Sequence, residues 1–194
     1  MMYKPYRDVD CINGFGDSDF AGEVETRKST SGGMTCLGDH VVKSWSSTQT
    51  VVALSTGEAE LYALNKTAAQ SLGLHSLLRD LGVELEVPLH TDATTGRAIA
   101  TRRGLGKVRH IAVNELWLQE QVAKNSVSIM KIKNKFNLAD LLTKYLSLNE
   151  IEHIVDFMQH AFMTGRSEVA PELSLIGHNK TLFLLLHENR LSDR

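Results

Sequence analysis

Cysteine is scarce in this chain: there are two in 194 residues, Cys11 and Cys36. They lack the paired spacing of a zinc site and are too few for a disulfide framework. A reducing intracellular compartment is therefore the default expectation. Net charge is also nearly missing. Its formal value is −2, so no global basic field advertises nucleic acid, and a grip on a polyanion has to come from a local patch. Long apolar runs are lacking too. The opening Met1-Met2-Tyr3-Lys4-Pro5 starts no signal-peptide core. The leucine-rich run 182–186 is far too short to span a bilayer, so no membrane is expected among the partners. No internal repeat is present. What is there, 42% hydrophobic and 23% charged residues, is ordinary globular composition, with enough chain for one domain and a real core.

Taken in order, residues 1–11 read as a loose lead-in. A strand then ends in Gly14-Phe15-Gly16-Asp17-Ser18-Asp19-Phe20-Ala21-Gly22, followed by a polar loop, 23–33. Two short apolar runs around Gly38-Asp39 read as a hairpin, completing an antiparallel meander. Ser55-Thr56-Gly57-Glu58 matches a capping box for a long helix ending near Gly82. Leu61, Leu64, Ala68 and Leu72 recur on it at helical spacing, and Leu77, Leu78 and Leu81 extend that side. Residues 87–92 read as a fourth strand, 94–102 as a short helix, 110–124 as a second long helix with Trp117 in the core, and 127–132 as a half-exposed fifth strand. Asn137 is a candidate N-cap for a helix over 138–144. The expected boundaries are a main domain over 12–146, a closing helix over 147–164 and a poorly ordered extension over 165–194.

Four acids stand out: Asp17, Glu60, Asp92 and Asp140. Two end strands and two begin helices, the places where an α/β sheet builds its site. If Glu58 serves the helix cap, Glu60 is free to point elsewhere. Asp140 sits among apolar neighbours, where an unpaired charge is costly. Four converging carboxylates are hard to keep ionised without divalent cations, and oxygen ligands suit Mg²⁺ or Mn²⁺ rather than zinc. Two such ions about 3.5–4 Å apart can clamp the attacking and leaving oxygens of a phosphodiester. Asp17 and Asp19 share one face of an ideal strand, and strand geometry alone does not rank them. His90 lies on the same strand face as Asp92, but a lone histidine is usually structural. The one strongly basic segment holds Arg97, Arg102, Arg103, Lys107 and Arg109, a candidate grip on a phosphate backbone.

The stretch 14–22, Arg27-Lys28-Ser29-Thr30-Ser31-Gly32, Ser44-Trp45-Ser46-Ser47, Ala53-Leu54-Ser55-Thr56-Gly57-Glu58-Ala59-Glu60, His90-Thr91-Asp92, Lys107-Val108-Arg109-His110-Ile111 and Leu138-Ala139-Asp140-Leu141-Leu142-Thr143-Lys144 come in an order that resembles the ribonuclease H domain of copia-type LTR-retrotransposon Pol polyproteins. The resemblance runs over 12–146. It implies a ribonuclease H-like α/β fold, a five-stranded mixed sheet flanked by helices, with an antiparallel 1-2-3 part and strands 4 and 5 parallel beside strand 1. It implies cleavage of the RNA strand of an RNA–DNA hybrid by two-metal hydrolysis during reverse transcription, in the cytoplasm, a virus-like particle or the nucleus. The reverse transcriptase portion of the same polyprotein is the implied protein partner. Asp17, Glu60, Asp92 and Asp140 would be the catalytic metal ligands, for two Mg²⁺ ions or Mn²⁺ in their place, and Asp17 is chosen over Asp19 on this resemblance. Arg27, Lys28, Ser29, Arg102, Arg103, Lys107 and Arg109 would meet the nucleic acid. Two departures stand out: Asp92 is followed by Ala93-Thr94-Thr95-Gly96 rather than a sequence like Asn-Gln-Ser-Ala, and Gly16 stands where Ser or Thr is common. The alternative reading is an inactive hybrid-binding or structural remnant. An integrase-type nuclease would place its Glu last among the acids, whereas here an Asp comes last.

Overall fold

The computed structural model describes residues 9–104, 106 and 116–158. Five strands form one sheet in the order β3-β2-β1-β4-β5. They are β1 (Ile12–Ser18), β2 (Thr30–Leu37), β3 (His40–Thr48), β4 (Pro88–Thr91) and β5 (Ser128–Lys131). The β1–β2 and β2–β3 pairs are antiparallel, and β1–β4 and β4–β5 are parallel. This is the mixed sheet the resemblance implies. The hairpin turns at Gly38, whose φ of +58° suits glycine.

Period-two alternation along β1 sends its residues to two different cores. Ile12 joins Leu61, Leu64, Leu89, Ile99, Leu118 and Ile129 beneath the helices α1 (Thr56–Asp80), α2 (Thr94–Thr101) and α3 (Trp117–Ala123). Phe15 joins Met34, Cys36, Leu138, Ala139 and Ile154 on the other face, under α4 (Leu148–Phe157) and a 3₁₀ turn, Leu138–Leu142. Asp17 shares the parity of Phe15 and so points toward that turn.

Helix α1 lies unusually close to the sheet. A Cβ on Gly14, Gly16 or Gly33 would come within 3.0 Å of the Thr67 side chain. Glycine at all three positions is thus the condition for this close approach. It seats the start of α1, with Glu60, against the end of β1. Ser55 caps the helix by accepting from Glu58 N at 3.2 Å. Glu58 does not close a reciprocal box; its carboxylate reaches Leu54 N at 2.9 Å and the Tyr62 hydroxyl at 2.6 Å. At the far end Gly82 takes φ +83°, and Val83 N donates to Leu78 O at 2.9 Å, which is a Schellman ending.

Some expectations need correction. Leu77 and Leu81 do not extend the buried side of α1; they are 57% and 72% exposed. The segment after Asn137 is a 3₁₀ turn ending at Leu142 rather than a helix through residue 144. Asn137 does cap it, accepting from Ala139 N at 3.3 Å. Trp117 packs against the first core, as expected. Helix α4 begins with a complete capping box, Ser147 and Glu150. The start of the expected helix at 110, the end of the closing helix and the extension after 165 lie outside the described residues, as do Lys107 and Arg109.

Candidate metal centre

The ends of β1 and β4 are neighbours in the sheet, and the 3₁₀ turn crosses beside β1. Three chain-distant acids therefore converge. Asp17, Asp92 and Asp140 each offer a carboxylate oxygen within 4.8 Å of the other two. Asp17 and Asp140 are buried, and Asp92 is half-buried. The fourth expected acid, Glu60, stands beside this trio rather than within it. It is half-buried, and its Oε2 has no hydrogen-bond partner.

Polar neighbours from the same late segment hold the trio. Gly32, paired with Asp17 across β1–β2, leaves the room that Thr143 fills; a Cβ there would lie 2.7 Å from Thr143 Cγ2. The Thr143 hydroxyl donates to Asp17 Oδ2. Asn137 Nδ2 donates to Asp92 Oδ1 at 3.2 Å. With its amide nitrogen turned toward the acids, Asn134 donates to Asp140 Oδ2 at 2.7 Å and Asp92 Oδ2 at 3.2 Å. Lys144 Nζ lies 2.9 Å from Asp140 Oδ1 and 3.3 Å from Asp17 Oδ1. Of these four supports, only the Asp140–Lys144 spacing of i,i+4 is visible in the sequence.

Burial and the neighbouring charges push Glu60, Asp140 and Asp17 toward protonation. Glu60 is raised to about 8, first by burial, then by the charges of Asp17 and Asp92, with Lys144 and the Ser18 backbone N–H acting the other way. Asp140 is raised to about 6, again chiefly by burial, with Lys144 opposing. Asp17 is raised by burial, which outweighs its bonds to Thr143 and Lys144. Lys144 gains from the same pairings and is held above its usual value despite its own burial. Even with Lys144 paired to two of them, the carboxylates here outnumber the positive charge beside them. The cluster's donors are all oxygens, and one buried oxygen is unsatisfied, so a hard divalent cation fits the residues present.

Asp19 does not join the trio. Beyond Ser18 the chain turns, with Ala21 at φ +54°, and the Asp19 carboxylate accepts from Thr30 N. The two aspartates expected on one strand face therefore have separate tasks. His90 stacks on Phe15 with ring centroids 4.7 Å apart and pairs with Asn13 Oδ1 at 2.9 Å, a structural role. Among the residues expected to meet nucleic acid, Arg27 and Arg103 are exposed, and Lys28 and Arg102 are half-buried. Ser29 is fully buried, and its hydroxyl accepts from Ala21 N at 3.0 Å, so it shapes the loop.

Known proteins share both the sequence and the fold. No protein-family model matches the chain. A retrovirus-related Pol polyprotein from the tobacco transposon TNT 1-94 is 31% identical over 143 residues, covering 73% of this chain and 11% of that polyprotein. The Pol polyprotein of the Arabidopsis thaliana transposon RE2 is 30% identical over 140 residues, covering 70% and 10%. The N-terminal ribonuclease H domain of a Mycobacterium tuberculosis protein superposes with a TM-score of 0.50 at 15% identity, covering 77% of this chain and 97% of that one. The chain is a Pol-family homologue with the ribonuclease H fold. It spans about a tenth of the length of its Pol relatives. Among the described residues of this Pol homologue, no helix is long and apolar enough to cross a membrane.

Proposed function

We propose that this chain is a copia-type ribonuclease H that cleaves the RNA strand of RNA–DNA hybrids, as part of a retrotransposon polyprotein or a remnant of one. The observation that carries the reading is the meeting of Asp17, Asp92 and Asp140, from positions 75 and 48 residues apart in the chain, within 4.8 Å. Asp17, Asp92, Asp140 and Glu60 would hold divalent ions, Mg²⁺ or Mn²⁺. When bound, these supply an activated water and offset the charge that builds on the phosphate.

The residues of the chain perform the remaining tasks. Thr143 fixes Asp17 by donating to Oδ2, and the amides of Asn134 and Asn137 orient Asp92 and Asp140. Such fixed ligands keep the reacting geometry without reorganisation at the moment of reaction. Exposed Arg27 and Arg103 are suited to backbone phosphates, which position a duplex without reading its sequence. The 2′-hydroxyl is the group that lets such a site tell RNA from DNA.

The decisive experiment is a gel assay of a labelled hybrid beside duplex DNA and duplex RNA, with and without Mg²⁺. Metal-dependent cleavage of the RNA strand in the hybrid alone supports the reading. Binding without turnover by the intact chain in Mg²⁺ and Mn²⁺ supports the inactive remnant instead.

A further inference from the structure

The acid cluster contains a positive charge of its own. Lys144 Nζ sits between Asp17 Oδ1 and Asp140 Oδ1, at 3.3 and 2.9 Å. It is the one lysine or arginine among the described residues paired with these acids. Resting on the metal-ligand reading of those two acids, we propose that the Lys144 ammonium is a tethered counter-ion that holds the cluster together without metal and must leave it when a divalent cation binds.

Three features carry this. First, the acids are the same: Lys144 contacts two of the three carboxylates that meet here. A small divalent cation takes carboxylate oxygens at about 2.0–2.1 Å, and an ammonium within 3.3 Å of both Asp17 and Asp140 occupies the space between those acids where such a cation would sit. The two cations would also repel at short range. Second, Lys144 has a way out. Its side chain is 34% exposed, and it lines a cavity of about 370 Å³ with Asn134, Lys135, Tyr145 and His153. A flexible four-carbon stem can swing there with small backbone change. Third, the carboxylates have supports that outlast its departure: Thr143 keeps Asp17, and Asn134 keeps Asp140. Lys144 also follows Thr143 directly and lies four residues beyond Asp140, so the counter-ion is built into the segment that supplies the ligand.

The consequence is competition. Metal affinity is reduced by whatever fraction of molecules hold the lysine in place, and removing the lysine removes that reduction. A lysine that merely braced Asp140 would have the opposite effect, since its loss would loosen a ligand and weaken metal binding.

The test uses the wild-type chain first. Lysines are acetylated with an N-hydroxysuccinimide ester in EDTA or in Mg²⁺, and modification is mapped by mass spectrometry. Exposed Lys124 serves as the internal reference. Lys144 is expected to react severalfold faster in Mg²⁺ while Lys124 is unchanged; equal reaction of Lys144 in both conditions overturns the proposal. In parallel, Mg²⁺ is titrated calorimetrically into wild type, Lys144→Gln and Lys144→Arg. The Gln variant is expected to bind about tenfold tighter, with the lysine seated in roughly nine molecules of ten, and the Arg variant no tighter than wild type. Unchanged or weaker binding by Lys144→Gln, with wild type binding Mg²⁺, overturns this inference and leaves the metal site standing. Absence of Mg²⁺ binding in both overturns the site as well.

Discussion

The tip of β1 and the first turn of α1 solve the same problem twice. Each carries two acids two residues apart, Asp17 with Asp19 and Glu58 with Glu60. In each pair one acid serves the local backbone. Asp19 accepts from Thr30 N, and Glu58 accepts from Leu54 N and Tyr62. The other acid goes to the cluster or beside it: Asp17 joins the trio, and Glu60 stands next to it, within the field of Asp17 and Asp92, with its Oε2 unpartnered. A carboxylate with donors around it stabilises the fold. A carboxylate among carboxylates costs stability, and a fold that retains it is set up for a cation.

The sharpest way to break the comparison is to neutralise one member of a pair at a time. Asp17→Asn is expected to lower hybrid cleavage by about 10²–10³-fold or more, the order seen when a preorganised charge-stabilising group is lost. The same change should not lower the melting temperature in EDTA. Asn keeps an acceptor for Thr143, and burial already disfavours the charge that it removes. A single-turnover cleavage assay and a thermal melt on one sample check both halves. Wild-type cleavage by Asp17→Asn would remove Asp17 from the site.

The local acids should behave the other way. Glu58→Ala leaves Leu54 N and the Tyr62 hydroxyl without their charged acceptor, and Asp19→Ala does the same to Thr30 N. Losses of about 1.5–3 kcal/mol are expected for each, the range for hydrogen bonds to charged groups. Cleavage per folded molecule should stay near wild type at a temperature where both variants are folded. Chemical denaturation with active-site titration measures the two quantities separately.

How far this division was legible in the sequence differs between the two regions. Around α1 it was largely legible, because the spacing Ser55 to Glu58 marks a helix start and leaves Glu60 over. Around β1 it was not. Strand periodicity puts Asp17 and Asp19 on one face. What separates them is where the chain turns, and Ala21 at φ +54° gives no sign in its side chain. The antiparallel part of the sheet was legible from the apolar runs and the turn between them, whereas the place of the parallel strands beside β1 came from the family resemblance. The supports at Asn134 and Thr143 were not, because polar residues in a loop carry no period, and their meaning comes only from the acids brought beside them; of Lys144 only its i,i+4 spacing to Asp140 was visible. The buried place of Ser29 against Ala21 is hidden for the same reason, since it follows from the fold of its loop.

A smaller effect distinguishes the pairs by pH. Glu60 is raised from 4.5 to about 8 and Asp140 from 3.8 to about 6 in the folded chain. A carboxyl raised on folding binds more protons in the native state than in the unfolded one between those values. Stability therefore falls as pH rises through that window. The metal-free melting temperature is expected to decline from about pH 5 to pH 8, and saturating Mg²⁺ should flatten the decline by supplying the missing positive charge. A melt series in EDTA and in Mg²⁺ measures this, and Glu60→Gln should lessen the EDTA slope.

The smallest expected effects lie furthest from the acids, at the exposed arginines. If Arg27 and Arg103 meet phosphates, each replacement by Ala weakens hybrid binding about equally for any sequence and reduces the dependence of log affinity on log salt by about one ion. Ser29→Ala is the contrast. Its hydroxyl holds Ala21 N inside the loop, so it should cost about 1 kcal/mol of stability and leave the salt dependence unchanged. Fluorescence anisotropy on a labelled hybrid, in metal-free buffer over a range of salt, separates the two. A lowered salt slope for Ser29→Ala would mean that the loop itself, rather than its arginine, sets the contact with the backbone.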